Sequence, residues 1–277
     1  MKVFIIGATG FIGFPVAQAL VRAGHIVYGL ARTEKSRLLA KEEIIPISGD
    51  ASDSSKWISL IAEIDAVIEA IGGTPDVQTL SLTVYNAVVE AAQSRRPANA
   101  PKLAYIYTSG TWVHGENHNI VTDTTPITNP VPLVAWRPLP IVNGVVIRPA
   151  LLYGRSASIL SVLFKTAHAG KVSWVGAPGG RYALIHADDL AELYIFAAAN
   201  DLTESVDDIL GKLVQVSGAK GPYEYREPSN PFESAITTTC NLRPYLARAL
   251  LGWQPRKADL MDHLEIYYNA WKASEGL

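Results

Sequence analysis

The first half of the chain alternates short apolar runs with amphipathic segments, a pattern typical of βαβ units. The apolar runs predict strands at residues 2–6, 25–31, 43–48, 65–71, 103–107 and 144–147. Apolar positions at helical spacing predict helices at residues 11–23, 33–39, 54–61 and 77–92, and Gly24 predicts a left-handed cap after the first helix. Continuous apolar strands fit a parallel sheet covered on both faces. We therefore expect an α/β fold with a doubly wound parallel sheet.

The pattern is looser from about Tyr153 onwards. The spacing predicts helices at residues 187–199, 243–250 and 260–271, a late strand at residues 212–217, and loops at residues 170–180 and 222–231. Segments of this kind often form a small lobe over the ends of the strands. We predict a main domain at residues 1–152 and a mixed C-terminal lobe at residues 153–277 that is interleaved with it and binds the substrate.

The turn between the first strand and the first helix has glycine at every third position, at Gly7, Gly10 and Gly13. Such glycines let backbone N–H groups approach a pyrophosphate closely, and the helix N-terminus adds a favourable dipole. Three glycines can also simply build a tight turn, but a clean strand before them and a clean helix after them favour a Rossmann-type dinucleotide site. The residues assigned to the cofactor in this turn are Gly7, Thr9, Gly10, Phe11, Ile12 and Gly13.

The end of the second strand indicates which cofactor is bound. An acidic residue there would bind the ribose 2′-OH of NAD, but this chain has Arg32, with Lys35 close behind. A guanidinium can neutralise a 2′-phosphate through charge-assisted hydrogen bonds, so the sequence favours NADP(H). The alternative is that these residues are only the solvated basic start of a helix.

Further segments resemble the extended and atypical short-chain dehydrogenases/reductases, a group that includes sugar-nucleotide epimerases and dehydratases and the NmrA-like regulators. The likeness runs over most of the chain. The segments that carry it are GATGFIG at residues 7–13, Gly49-Asp50, Ala70-Ile71-Gly72, Tyr107-Thr108-Ser109-Gly110, and residues 148–154, 185–190 and 250–255.

This resemblance implies further cofactor contacts. Asp50 and Ala51 would lie near the adenine, residues 70–72 would flank the ribose, and residues 149–152 would line the nicotinamide. The full set outside the glycine turn is Arg32, Lys35, Asp50, Ala51, Ala70, Ile71, Gly72, Thr108, Pro149, Ala150, Leu151 and Leu152. From the residues alone, Asp50 could equally be a turn or cap residue, and residues 149–152 could be strand-end packing.

In this family, catalysis is commonly assigned to a Ser or Thr after the fifth strand and to a Tyr-x-x-x-Lys on the next helix. This sequence has no Tyr-x-x-x-Lys between Ser109 and Arg148; the nearest positional match places Leu133 at the tyrosine and Arg137 at the lysine. The stretch is also too short and too rich in proline for the expected long helix. Either the protein lacks this helix, or part of a longer chain is absent from this sequence.

Other residues can be considered as substitutes for the missing pair. Ser109 and Thr111 could donate hydrogen bonds to a carbonyl, and His114 could supply a proton near neutral pH. Arg137 could hold a substrate carboxylate or the cofactor ribose. Each has a plain alternative, because Ser109 could only satisfy the backbone and His114 could be a solvent-facing loop residue.

The composition indicates which binding partners and which cellular compartment to expect. With 277 residues, 48% of them hydrophobic, and a net charge of −2, the chain can bury a large core and offers no electrostatic reason to bind nucleic acid or an anionic membrane. Its one cysteine, Cys240, excludes an intramolecular disulfide and suits a reducing compartment. The N-terminal residues lack the features of a signal peptide, so we expect a cytoplasmic protein. We also expect a monomer or a homodimer that binds a small molecule.

One cluster resembles a metal site. His186, Asp188 and Asp189 lie close together in the sequence, but the two aspartates suit the first turn of a helix, where carboxylates favour the dipole. We expect no metal.

Three functions compete on this evidence. The leading hypothesis is an NADPH-dependent oxidoreductase, resembling a carbonyl reductase, that acts on a small organic substrate by hydride transfer. The second is a non-catalytic NADP(H) sensor or scaffold of the NmrA-like type, which would explain the missing acid/base pair. The third is a sugar-nucleotide epimerase or dehydratase, which Arg32 fits less well because these enzymes use NAD.

Overall fold

A computed structural model of the chain describes residues 1–97, 99–122, 124–127, 142–155, 159–196, 202–243 and 260–277. Its strands are β1 (Lys2–Ile6), β2 (Ile26–Ala31), β3 (Ile45–Ser48), β4 (Ala66–Glu69), β5 (Ala104–Thr108), β6 (Asn117–Thr122), β7 (Asn143–Ile147), β8 (Leu151–Tyr153), β9 (Ser173–Val175), β10 (Arg181–His186), β11 (Leu202–Ser205), β12 (Glu224–Arg226) and β13 (Cys240–Arg243). Its α-helices are α1 (Gly13–Arg22), α2 (Ser36–Ala40), α3 (Val77–Arg95), α4 (Ser161–His168), α5 (Ala187–Phe196), α6 (Val206–Ser217), α7 (Pro231–Ile236) and α8 (Leu264–Glu275).

The central sheet has the strand order β3-β2-β1-β4-β5-β7. Every neighbouring pair in it is parallel, with Val3 opposite both Val27 and Ala66 in the middle of the sheet. The chain begins at the centre, winds outwards to β3, and then crosses back to build the other half from β4 onwards. This is the predicted Rossmann-type α/β fold, and it places the carboxyl ends of β1, β2, β4 and β5 along one edge.

The described residues fall into two compact units. The first unit consists of the described residues of Met1–Ser109, Ala135–Ile147 and Ala191–Ala197, and the second of those of Gly110–Val134, Arg148–Leu190 and Ala198–Leu277.

The first unit holds the central sheet, and its predicted elements are confirmed with small shifts at their ends. Gly24 has the expected left-handed backbone, with φ of 81°. The predicted helix at residues 54–61 differs, because the chain forms two short 3₁₀ turns there. The first turn is capped by the carboxylate of Asp53, which accepts a hydrogen bond from the Ser55 N–H. Trp57 lies at the junction of the two turns and packs against Phe4, with the ring centroids 5.8 Å apart.

The second unit contains three small sheets, with strand orders β11-β10-β8, β12-β9 and β13-β6. The predicted strand at residues 212–217 is wrong, because these residues form the second half of α6. Two predicted loops contain short strands, β9 and β12, which pair in parallel. The predicted helix at residues 243–250 lies outside the described residues apart from Arg243, which ends β13.

Among the helices that the structure describes, none has the length and apolar character needed to cross a membrane.

Candidate functional site

The glycine turn after β1 is held by close contacts between backbone atoms. Gly7 has φ of 93°, and a side chain there would bring its Cβ under 3.0 Å from the carbonyl oxygen of Ala70. A Cβ on Gly13 would lie equally close to the carbonyl oxygen of Gly7. Real Cβ atoms essentially never approach backbone that closely. Gly7 and Gly13 are therefore required by the turn itself, whatever it binds.

Gly10 differs from the other two glycines. It is exposed, its φ is not positive, and a Cβ there would meet only the carbonyl oxygen of Gly7, at 3.2 Å. Its own N–H donates to that same oxygen at 2.9 Å, which closes the turn. The side of the turn at Gly10 thus has room for a ligand to approach the backbone.

The N-terminus of α1 lies directly after this turn. The Phe14 N–H donates to the carbonyl oxygen of Gly10 at 3.0 Å, so the amides of residues 11–13 come before the helical hydrogen-bond ladder. The N-cap residue is Ile12, which has no side-chain acceptor, and no acidic residue lies in the first turn. These amides and the helix dipole can therefore serve an external anion, as a pyrophosphate site requires.

Two basic side chains lie just beyond the end of β2. Arg32 is about two-thirds exposed, and its Nε lies 3.6 Å from Oε1 of Glu34. The Lys35 N–H donates to the Arg32 carbonyl oxygen at 2.9 Å, so the chain turns here, and the Lys35 side chain is exposed as well. Since an exposed ion pair of this length contributes little, Arg32 can exchange Glu34 for a phosphate at small cost.

Asp50 lies beyond the end of the neighbouring strand β3 and acts as a turn residue. Its Oδ1 accepts hydrogen bonds from the N–H of Ser52 at 3.0 Å and from the Ser52 hydroxyl at 2.7 Å. These bonds hold the pKa of Asp50 below its ordinary value, and the charge of Arg32 lowers it further. Ala51 follows, half-buried. The structure therefore brings Asp50 and Arg32 close together at adjacent strand ends.

The end of β4 approaches the glycine turn. The Ala70 N–H donates to the Ile6 carbonyl oxygen at 2.8 Å, while the Ala70 carbonyl is the group that a side chain on Gly7 would strike. Ile71 is half-buried and Gly72 is exposed. The segment predicted to flank the ribose thus begins beside the turn predicted to bind the pyrophosphate.

The last residue of this strand carries a buried carboxylate. Glu69, the last residue of β4, is 1% exposed and accepts hydrogen bonds from the hydroxyl groups of Ser81 and Tyr105. It thereby connects β4 to α3 and β5. Sequence reasoning missed this group, and an acidic residue at the end of a run of apolar strand residues is the signal that could have found it.

Thr108, at the end of β5, makes a side-chain contact that the sequence did not predict. Its hydroxyl lies 2.5 Å from the hydroxyl of Tyr194 on α5. Burial raises the pKa of Tyr194, although the bond to Thr108 acts in the opposite direction. Tyr194 is fully buried and stays protonated, so it serves as a support for Thr108. The Ser109 N–H donates to the Ile147 carbonyl oxygen at 2.8 Å, which holds the next residue against β7.

The second unit contains Thr111, His114 and the segment after β7. Thr111 and His114 are buried in a 3₁₀ turn, and the Thr111 N–H donates to the Pro149 carbonyl oxygen at 3.2 Å. His114 is therefore not solvent-facing. Burial lowers its pKa, and the charge of Arg148 lowers it further. The imidazole is accordingly neutral near pH 7.

The other residues predicted to line the nicotinamide take part in packing in this unit. Pro149 and Ala150 are buried, and Leu151 and Leu152 lie in β8, where they pair with β10. Arg137 lies outside the described residues.

The cluster that resembled a metal site has a structural role. Asp188 and Asp189 lie in the first turn of α5, as predicted. Nδ1 of His186 accepts a hydrogen bond from the Asp188 N–H at 3.1 Å, and the Asp188 carboxylate pairs with Arg155 at 2.6 Å. The imidazole thus serves the start of α5, and the carboxylate neutralises an arginine.

Comparison with known proteins agrees with this geometry. Residues 7–119 match the family model described as NAD(P)H-binding. The relatives include the protein YLL056C of Saccharomyces cerevisiae, 26% identical over 97% of this chain and 99% of that protein. The decarboxylating sterol-4-alpha-carboxylate 3-dehydrogenase of Dictyostelium discoideum is 22% identical over 67% of this chain and 64% of that enzyme. An isoflavone reductase homolog, A622, of Nicotiana glauca is 27% identical over 34% of this chain and 33% of that protein.

Solved structures share this fold. UDP-glucose 4-epimerase from Bifidobacterium longum, in complex with NAD+ and UDP, has a TM-score of 0.76 at 16% identity and covers 100% of this chain and 99% of its own. UDP-glucuronic acid 4-epimerase from Bacillus cereus, in complex with UDP-glucuronic acid and NAD, has a TM-score of 0.73 at 19% identity, with 99% and 100% covered. The family-model match covers the glycine turn and strands β2 to β5 of the central sheet, and the solved structures share the fold. Residues 7–119 are therefore similar to NAD(P)H-binding domains, and the resemblance to extended and atypical short-chain dehydrogenases/reductases is confirmed.

Proposed function

We propose that this protein is an NADP(H)-dependent oxidoreductase that reduces a small carbonyl compound by hydride transfer. The observation that carries the proposal is the glycine turn. Its backbone is open at Gly10, it leads into a helix N-terminus without an anion of its own, and basic side chains lie at the neighbouring strand end. The domain roles stay predictions: cofactor at residues 1–152 and substrate in the lobe at residues 153–277.

The residues present fit the cofactor. The amides of residues 11–13 would bind the pyrophosphate, and Arg32 with Lys35 would bind the 2′-phosphate. Asp50 and Ala51 would border the adenine, and Ala70 to Gly72 the ribose. Thr108 would lie towards the nicotinamide. The assignment of residues 149–152 to the nicotinamide, which the resemblance implies, stays a prediction. When bound, the reduced cofactor supplies a hydride.

Catalysis then requires a group that gives a proton to the substrate oxygen. Among the candidates, His114 is buried, neutral near pH 7 and has a buried Nδ1 without a hydrogen-bond partner in the described part of the chain. Ser109 and Thr111 would supply hydroxyl donors, and Arg137 would orient the substrate. Reduction adds a hydride to the carbonyl carbon and a proton to its oxygen, giving an alcohol and the oxidised cofactor.

Two other functions each have an observation in their favour. The absence of Tyr-x-x-x-Lys between Ser109 and Arg148 favours a non-catalytic NADP(H) sensor of the NmrA-like type. The likeness to epimerases solved with NAD favours a sugar-nucleotide epimerase or dehydratase. Arg32 argues against the epimerase or dehydratase, because NAD lacks the 2′-phosphate that its guanidinium would bind.

The test combines cofactor selectivity with turnover. Arg32→Asp should weaken NADPH binding by about 10- to 100-fold, since a hydrogen bond to a charged group contributes about 1.5–3 kcal/mol and about 1.4 kcal/mol is tenfold in affinity. NADH binding should change little. Arg95→Asp, an equal charge reversal at an exposed arginine in the same unit, serves as the control and should leave both affinities intact.

Turnover separates the three functions. We expect NADPH consumption, followed by absorbance, with at least one compound of a panel of small aldehydes, ketones and oxo acids. Tight NADPH binding without turnover would instead support the sensor. Tight NAD binding, with sugar-nucleotide conversion and no net cofactor consumption, would support the epimerase. NADPH affinity untouched by Arg32→Asp would refute the cofactor assignment.

A further inference from the structure

Arg148 directly follows β7 and, together with His114, belongs to the second unit. The hydrogen bond from the Thr111 N–H to the Pro149 carbonyl oxygen holds the turn that carries His114 against the segment that carries Arg148. The charge of Arg148 acts on His114, so the two side chains are electrostatic neighbours. Sequence reasoning did not assign Arg148 a role of its own.

Each of these side chains has a buried nitrogen for which the described residues supply no hydrogen-bond partner. Within the described part of the chain, neither Nδ1 of His114 nor Nε of Arg148 has a hydrogen-bond partner, and His114 is only 6% exposed. Such groups are rare, because a buried donor left unpaired costs about 1–3 kcal/mol and more when it is charged. Two together, one of them cationic, indicate that an external group completes the site.

The contrast with Arg155 sharpens this point. Arg155 is also partly buried, but its Nε lies 2.6 Å from Oδ1 of Asp188. Arg148 has no corresponding carboxylate among the residues that the structure describes, and burial lowers its pKa. Among the described residues, the charge of Arg148 therefore has no neutralising carboxylate, while His114 is neutral near pH 7.

We propose that His114 and Arg148 bind a 2-oxo acid, with the guanidinium on its carboxylate and the imidazole on the adjacent carbonyl oxygen. This inference rests on the proposed function, names its substrate class, and places the carboxylate of the substrate outside residues 153–277, where the sequence alone predicts the substrate lobe. Nε and one terminal nitrogen of a guanidinium lie side by side and match the two oxygens of a carboxylate. The single positive charge of the pair balances one carboxylate but not a phosphate dianion.

Binding of a carboxylate would also prepare His114 for its role. The carboxylate offsets the charge of Arg148, which is one of the two causes that depress the pKa of His114. Burial, the larger cause, remains, so the pKa of His114 rises only part of the way and the imidazole takes up a fraction of a proton on binding. When bound, NADPH would supply the hydride to the carbonyl carbon, the C=O π electrons would move to the oxygen, and that oxygen would take the proton that His114 holds at Nδ1. The products are a 2-hydroxy acid and NADP+, and His114 is reprotonated from water.

The test uses oxamate, which carries the 2-oxo acid framework but resists reduction, and oxamide, its neutral amide. Calorimetric titration of the NADPH-loaded protein should show oxamate binding at least tenfold more tightly than oxamide. Repeating the titration near pH 7 in two buffers of different ionisation enthalpy should show uptake of a fraction of a proton per oxamate. His114→Asn should abolish that uptake. No uptake by the wild type would overturn the role of His114.

Arg148→Gln should lower oxamate affinity at least tenfold and leave oxamide unchanged. The control is Arg181→Gln, at an exposed arginine of the same unit, which should bind oxamate like the wild type. The denaturation midpoint separates binding from structure. If Arg148 is an unpaired buried charge, Arg148→Gln should not lower the denaturation midpoint. If Arg148 has a structural role, the same variant would lower the midpoint. If Arg148→Gln fails to fold, Arg148→Lys keeps the charge, lacks the paired nitrogens and should still lose affinity.

Several results would overturn the inference. Equal binding of oxamate and oxamide, or unchanged oxamate affinity in Arg148→Gln, would remove the carboxylate site while NADPH binding left the proposed function standing. Stronger competition by inorganic phosphate than by oxamate would refute the carboxylate in favour of a phosphate. If NADPH itself fails to bind, the proposed function is refuted. Titration of the cofactor-free protein with oxamate then still tests whether His114 and Arg148 bind a carboxylate.

Discussion

Gly10 and Gly13 belong to the same glycine pattern but have different roles in the turn. Substituting each by alanine should reveal this difference in the free energy of unfolding and in NADPH affinity. At Gly13 the new methyl group would lie under 3.0 Å from two backbone atoms of Gly7, which cannot move without opening the turn. Overpacking of this kind typically costs about 1–3 kcal/mol, and a purely backbone clash belongs at the upper end, so we expect Gly13→Ala to lose about 3 kcal/mol of unfolding free energy.

At Gly10 the methyl group would meet one carbonyl oxygen at 3.2 Å, which a shift of a few tenths of an ångström relieves. Alanine also restricts the unfolded chain, a gain of about 0.4–1 kcal/mol, so we expect Gly10→Ala to change stability by less than about 1 kcal/mol. The same methyl group occupies the open side of the turn. It should remove about one charge-assisted hydrogen bond to the pyrophosphate, equivalent to a 10- to 100-fold loss of NADPH affinity.

Urea denaturation followed by tryptophan fluorescence measures the first quantity, since Trp57 is buried in the first unit. Titration of NADPH fluorescence measures the second. A Gly10→Ala protein that binds NADPH within twofold of the wild type would refute the placement of the pyrophosphate. Equal stability losses for the two variants would refute the distinction between the glycines.

Two further predictions concern the second unit. The Tyr182 hydroxyl accepts a hydrogen bond from Trp174 Nε1 at 2.8 Å and donates one to the Ile236 carbonyl oxygen at 2.8 Å. Tyr182→Phe leaves both of these buried groups unpaired, so it should lower the free energy of unfolding, measured by urea denaturation, by about 3 kcal/mol. A loss under about 1 kcal/mol would show that water replaces the hydroxyl. Asp207 accepts a 2.7 Å hydrogen bond from the Gly179 N–H, which is the main cause that holds its pKa below 3.8. Its contribution to stability is fully present above pH 3.8 and is lost as the pH falls through the lower folded pKa, so the gap in urea midpoint between the wild type and Asp207→Asn should close there. A gap that does not change with pH would contradict this.

Sequence reasoning succeeded for the central sheet because buried parallel strands have a strong signature. Each run of apolar residues between turn residues becomes a strand, and the glycine turn follows β1 where the spacing predicted it. The same signature failed at residues 212–217, where alternating apolar and polar residues suggested a strand. The helix is visible only when the window begins earlier, at Val206, because Val206, Ile209, Leu210 and Leu213 are its buried positions.

The sequence predicted where the backbone of the candidate site lies, but it did not predict the contacts that its side chains make. Glycine spacing and the end of β2 can be read along the chain, because the residues are neighbours in sequence or in the strand order. The contact between Thr108 and Tyr194, and the influence of the Arg148 charge on the pKa of His114, involve residues far apart in the chain. An unpaired buried nitrogen is visible only when the neighbours in space are known, so Arg148 appeared in the sequence as part of a motif and nothing more.

The pairing of β6 with β13 has a consequence for biosynthesis. The two strands lie side by side in parallel, with Val121 opposite Leu242, although residues 123–239 separate them in the sequence. A ribosome delivers β1 to β5 first, so the core of the central sheet can assemble while the nascent chain is still growing. The edge of β6 must wait for the last part of the chain to emerge. During that interval an unpaired strand edge is exposed to other chains, and it is there that a chaperone would be most useful.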